Sequence, residues 1–200
     1  MKIAIPVWGF GRQGGYRVLS ELANQWIKKG HEVIFLSFNY SDPIYFPALA
    51  EIIWLDADGF KSEREDKLKK ASVGKIKRVF LNYFSLYRGL NRYANNFDII
   101  LCNGALTCWP VFFSKSGAKK FYYIQAYETE YSLHFKGVER FIFYFLSLWT
   151  YWLPLKQIVN SPVYYNYKYI KTDKFVPPGI DFGLFYKKEL KLPRFIGQIV

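Results

Sequence analysis

The chain has little sulfur and little imidazole: two Cys, one Met and two His in 200 residues. Cys102 and Cys108 stand beside apolar segments, far from His31 and His134, so no Cys/His spacing of a metal-binding kind is present and no metal is expected. Buried free thiols are the expected state, which suits a reducing cytosol. Acids are also scarce, 16 against 28 Lys and Arg, for a net charge of +12. Long hydrophobic runs are missing. The uncharged run that could matter most, 141–155, is short of the roughly twenty apolar residues a spanning helix needs, and Pro154 interrupts its end. A core helix is the expectation for it, with a helix lying in a membrane interface as the alternative. No signal sequence is expected, since the N-terminus reads straight into a strand; no internal repeat or low-complexity tract is found, and the location expected is cytoplasmic.

Aromatics, by contrast, are abundant: 17 Tyr, 19 Phe and 6 Trp. So many Tyr place part of the aromatic content at surfaces, where an apolar ring with a polar tip is useful. The length fits one large domain, or one domain and the start of another. The positive charge is uneven. Residues 61–96 hold ten Lys and Arg (among them Lys61, Lys70, Arg78, Arg88 and Arg92) against three acids. Such a segment suits anionic lipid, nucleic acid or a phosphorylated ligand; the bland alternative is a solvated face. No RRM, KH or zinc pattern accompanies it, so a specific nucleic-acid partner is not expected.

Strand and helix patterns alternate along the chain. Apolar runs predict strands over 2–7, 32–38, 52–55, 98–102, 120–125 and 157–160. Helical spacing predicts helices over 17–29, from 76 to about 94, over 107–115, 138–153 and 163–169, with Gly30 ending the first. A charged loop or frayed helix is expected over 57–75. The fold class is therefore α/β, a doubly wound parallel sheet of Rossmann-like type. Ligands of such sheets sit at the carboxyl ends of the strands. That rim would hold the Gly-rich loop, Asn103-Gly104, Gln125 to Glu128, and Ser161.

The loop after the first strand contains Gly9-x-Gly11-x-x-Gly14, a dinucleotide-type spacing, and an NAD(P)-binding oxidoreductase domain is one function it could signal. Such a site also needs an acid at the end of the second strand to hold the ribose. Here that strand ends Ser37-Phe38-Asn39, and Asp42 lies beyond it. Gly14 and Gly15 can be read separately. They precede a helix and allow close approach of a phosphate or sugar, with Arg17 in the first turn as an anion partner.

Four segments carry a resemblance. Gly14-Gly15-x-Arg17-Val18, Glu21-Leu22-Ala23-Asn24 and Gly30-His31-Glu32-Val33 resemble the N-terminal domain of family 4 glycosyltransferases of the GT-B fold. Tyr122-Tyr123-Ile124-Gln125-Ala126-Tyr127-Glu128 is similar to the Y-[FI]-[VI]-Q-D-Y-E stretch of the rhamnosyltransferase-like branch. Ile158-Val159-Asn160-Ser161 looks like its I-V-x-N-S strand, and Val176-Pro177-Pro178-Gly179-Ile180-Asp181 with Phe185 looks like the P-x-G-I-D-x-x-x-F that leads into a second domain. The resemblance implies a retaining transfer from a nucleotide-sugar cosubstrate, with no other cofactor. It implies an acceptor-binding domain over 1–176, and a linker and first strand of a C-terminal donor domain over 177–200. That donor domain, in cis or in trans, would bind the nucleotide, and the chain alone would be inactive. The acceptor would be a glycan or lipid-linked, reached at the inner face of the cell membrane, where segment 61–96 would dock on anionic lipid. One departure stands out: the branch's Asp is Ala126 here.

The candidate catalytic residue is Glu128, placed after a strand where a carboxylate could orient or deprotonate an acceptor hydroxyl; a solvated loop is the alternative. Candidates for acceptor or phosphate binding are Gly14, Gly15, Arg17, Gln125, Tyr127, His134 and Ser161. Ser161 followed by Pro162 also reads as an ordinary helix cap.

Overall fold

A computed structural model describes residues 1–65 and 75–179. Six strands form one sheet: β1 (Lys2–Pro6), β2 (Glu32–Phe38), β3 (Glu51–Leu55), β4 (Ile99–Cys102), β5 (Lys119–Ile124) and β6 (Lys156–Val159). Their order is β3-β2-β1-β4-β5-β6 and every pairing is parallel. The helices are α1 (Gly14–Lys28), α2 (Lys75–Tyr93), α3 (Ala105–Phe113) and α4 (Gly137–Thr150), with 3₁₀ turns at Glu128–His134 and Pro162–Asn166. This is the doubly wound, Rossmann-like α/β fold that the alternation predicted.

Alternation along each strand divides the core into two layers. Ile3, Ile5, Val33, Phe35, Leu101 and Tyr123 face one way and bury Leu19 and Ala23 of α1. Ala4, Ile34, Leu36, Ile100, Cys102 and Tyr122 face the other way, against Leu86 and Leu90 of α2 and Val111 of α3. Cys102 and Cys108 are buried free thiols with sulfurs 3.3 Å apart. Burial pushes the Cys108 thiol well above its ordinary range.

Gly30 ends α1 with φ +79°, as its C′ position required. Gly59 is constrained too. Its φ is +74°, and a Cβ there would stand 2.7 Å from the Ser85 carbonyl oxygen and the Arg88 Cβ on α2.

Three expectations change. The helix expected at 107–115 begins two residues earlier, because Gly104 is extended and a distant side chain caps Ala105. The helix expected at 163–169 is a single 3₁₀ turn, Pro162–Asn166. The run 141–155 is not a core helix. α4 buries Ser147, Leu148 and Thr150, but Phe141, Ile142, Tyr144, Phe145 and Trp149 are exposed. Residues 66–74 of the loop expected over 57–75 lie outside those described, as do residues 180–200 of the linker and strand expected over 177–200.

Candidate active site

At the centre of the sheet β1 and β4 lie side by side, with α1 packed on one face and α3 on the other. The loops leaving these two strands part at their carboxyl ends and open a crevice. β1 supplies Trp8 and the start of α1, β4 supplies Asn103-Gly104 and the start of α3, and β5 and β6 add Gln125, Ala126, Glu128 and Asn160. With Pro177 to Gly179 they enclose a cleft of about 1610 Å³.

The two helix starts in this cleft differ. That of α1 is bare. The Gln13 side chain makes no cap, the first turn holds no acid, and Gly14 and Gly15 add no side chains. Its first N–H groups and partial positive charge face the cleft with Arg17 in the wall. A Cβ on Gly15 would lie 3.4 Å from Gln125 Oε1, so these two residues set the width there.

The start of α3 is closed by Glu128. Its Oε2 accepts from the Ala105 N–H at 2.6 Å, and its Oε1 from the Tyr122 hydroxyl at 3.2 Å. The Glu128 N–H donates to the Tyr151 hydroxyl at 3.0 Å. Burial pushes the Glu128 carboxyl up to about 7; the two hydrogen bonds it accepts pull the other way without offsetting that. Burial, reinforced by the Glu128 charge, raises the Tyr122 and Tyr151 hydroxyls in turn. Asn160 is the remaining polar group of note. Its Nδ2 donates to the Gln125 carbonyl at 3.1 Å, while its Oδ1 is buried without a hydrogen-bond partner among the described residues.

Of the residues anticipated from sequence, the structure brings Gly14, Gly15, Arg17, Gln125 and Glu128 to the cleft wall. It places three elsewhere. The Tyr127 ring stacks on Tyr151 at 5.2 Å and meets Tyr167 at 4.5 Å, a packing position. Ser161 caps the turn at Pro162–Asn166 by accepting from the Val163 N–H at 3.4 Å. His134 ends the other 3₁₀ turn, exposed to solvent. Tyr122, Tyr151 and the Ala105 N–H, which hold Glu128, were missed. They are remote from it or from each other in sequence, and no local pattern marks them.

Gly9 and Gly11 of the dinucleotide-type spacing do not line the cleft, and neither has positive φ. Asn39, at the end of β2, donates from Nδ2 to Glu65 Oε1 at 3.2 Å. In the basic segment, Lys61 pairs with Glu51 and Arg88 with Asp58, each at 2.7 Å, and Arg92 lies 3.5 Å over the Phe60 ring. These three cations are tied to the fold. Lys67, Lys69 and Lys70 fall outside the described residues. Among the described residues, no group of His, Cys, Asp and Glu could hold a metal ion.

No protein-family model and no curated protein matches the sequence. Solved structures do match the fold. A sucrose-phosphate synthase from Thermosynechococcus elongatus superposes with a TM-score of 0.59 at 16% identity, over 96% of this chain and 53% of that one. A second structure of sucrose-phosphate synthase from the same organism gives a TM-score of 0.52 at 14% identity, over 92% of both chains. The chain thus spans about half the length of the first synthase, and it shares the Rossmann-like fold of a GT-B glycosyltransferase.

Proposed function

We propose that this chain is the acceptor-binding domain of a retaining, nucleotide-sugar-dependent glycosyltransferase, of the family 4 rhamnosyltransferase-like kind. Its acceptor is a glycan or a lipid-linked saccharide at an anionic membrane surface. A donor domain, in cis or in trans, binds the nucleotide, and without it the chain does not turn over. The shared fold supports this reading, as do the four motif segments. The observation that carries it is the composition of the cleft. The bare start of α1 with Arg17 offers donors and positive charge for a phosphate, while the Gln125 side chain in the wall offers a donor and an acceptor for sugar hydroxyls.

Glu128 enters the mechanism as a positioning residue. Both its oxygens already accept hydrogen bonds, so it fixes the start of α3 and the Asn103-Gly104 edge of the cleft. With Ala126 where the branch has Asp, no other carboxylate stands on that short stretch of wall.

An isotope-labelled chain titrated with a phosphorylated or lipid-linked saccharide, and separately with NADH, tests the proposal. The saccharide is expected to move the amide resonances of Gly14, Gly15 and Gln125 and the side-chain amide of Asn160. Movement at Gly9 and Gly11 with NADH, and none with the saccharide, would assign the cleft to a dinucleotide instead.

A further inference from the structure

α4 is amphipathic the wrong way round for a helix on a domain surface. Val138, Phe141, Ile142, Phe145 and Trp149 fall at i, i+3, i+4, i+7 and i+11, which puts them on one face. That face looks at solvent: the five are 72%, 65%, 50%, 48% and 47% exposed. The opposite side holds the helix to the domain. Ser147 and Thr150 are buried there, Phe143 packs at 4.8 Å on the Phe135 ring, and the Leu146 carbonyl accepts from Trp109 Nε1 of α3 at 3.2 Å. Exposed Leu133 and Trp152 extend the patch at either end. An apolar face of this size marks an interaction site.

From this face and its charge setting we infer that α4 is a membrane-docking helix, lying in the plane of an anionic bilayer with its Phe, Ile and Trp side chains in the interfacial region. No helix among the described residues is long and apolar enough to cross a membrane, which leaves α4 to lie on it. Trp149, Trp152 and Tyr144 are residue types that settle at the level of lipid headgroups. Lys136 and Arg140 are exposed at the start of the helix, beside a single acid, Glu139. Charge selects the occupant. At +12, two copies of the chain repel one another, whereas an anionic lipid surface attracts each of them. The docking face inferred is α4; of the basic segment, Lys61, Arg88 and Arg92 are engaged within the domain.

The consequence for the cleft rests on the transferase reading. Phe143, on the inner side of α4, and Tyr131, in the turn before it, both line the cleft. A docked α4 therefore sets the cleft beside the bilayer, where a saccharide carried on a lipid would enter from the membrane side.

The test is co-sedimentation of the 200-residue chain with vesicles holding about 30% anionic lipid, compared with wholly zwitterionic ones. The wild type is expected to partition onto the anionic vesicles. The double variant Phe141→Ser/Phe145→Ser is expected to lose at least about tenfold in partitioning, while Arg88→Gln/Arg92→Gln keeps it. A thermal melt of each variant checks the fold. Brominated lipid should quench part of the tryptophan emission, and Trp149→Phe/Trp152→Phe should remove that part. Wild-type chain that ignores every vesicle, partitioning unchanged by the α4 substitutions, or loss that follows Arg88 and Arg92 instead would overturn the inference. So would self-association in solution that the same α4 substitutions abolish, since a second copy would then cover the face. Saccharide binding is read without vesicles, so its failure would remove the transferase reading and leave the docking result standing.

Discussion

Glu128 and Ala105 are 23 residues apart in sequence, yet the Glu128 carboxylate receives the Ala105 N–H at 2.6 Å and closes the start of α3. The contact joins the segment after β5 to the helix after β4, and it sits in the wall of the cleft. The same carboxyl carries a penalty for ionising, because burial raises it to about 7. Helix geometry at the site and protonation are therefore coupled.

The sign follows from linkage. A carboxyl whose folded-state value exceeds its unfolded value of 4.5 binds more protons folded than unfolded between those limits. Its contribution is fully present below about 4.5 and is lost as pH rises through about 7. Denaturant titrations of the wild type should show stability falling across that window by up to about 3 kcal/mol. Glu128→Gln, which keeps an acceptor for the Ala105 N–H, should flatten the dependence. Glu128→Ala should cost on the order of 1–2 kcal/mol at pH 5 through loss of the cap. A wild-type profile that is flat from pH 5 to 8 would show that the carboxyl ionises freely.

How far the sequence anticipates all this depends on range. β2 spans Glu32–Phe38, the limits its apolar run predicts, and the Gly30 stop is met, because both signals are local. The Ser161-Pro162 cap is met for the same reason. The start of α3 is misjudged because its cap comes from Glu128. The fate of 141–155 is misjudged because hydrophobicity alone cannot say which side of a helix the domain covers; that is decided by Trp109, Phe135 and Phe143. At the cleft, Gly14, Gly15, Arg17, Gln125 and Glu128 are legible since they lie in the segments that leave the carboxyl ends of strands, whereas Tyr127 and Ser161 lie in such segments too and turn away from it.

Cys102 and Cys108 should be unreactive in the native state. Both are buried, and the Cys108 thiol is pushed up by burial and by its neighbour Cys102, so little thiolate forms near neutral pH. A maleimide reagent at pH 7.5 should label neither until denaturant is added, when both should react together. Rapid labelling of the native chain would mean that the layer between β4 and α3 opens readily.

Gly59→Ala should be among the most damaging single-methyl changes in the chain. The position combines φ +74° with a Cβ site 2.7 Å from Ser85 O and Arg88 Cβ. Left-handed backbone costs about 1–2 kcal/mol for a non-glycine residue, and overpacking about 1–3 more. A loss of about 2–4 kcal/mol in the urea unfolding free energy is expected, because the turn Asp56–Phe60 must move off α2. Gly117→Ala, where nothing stands within 4 Å of the new methyl, is the matched control and should stay near wild type.

Gly15→Val separates the cleft from the fold. Gly15 lies in the first turn of α1 without positive φ, so a side chain is conformationally allowed, and helix propensity favours it over glycine. The group nearest its Cβ would be the Gln125 side chain at 3.4 Å, inside the cleft. Thermal stability should therefore hold within about 1 kcal/mol, while the added methyls narrow the cleft between α1 and Gln125. Binding of a phosphorylated saccharide should weaken by about tenfold or more, and Arg17→Ala should weaken it comparably by removing charge rather than space. Adding salt should erode the wild-type affinity and that of Gly15→Val, but change Arg17→Ala little, because screening acts on the charge that variant lacks. Equal salt dependence in all three proteins would place the phosphate away from the start of α1.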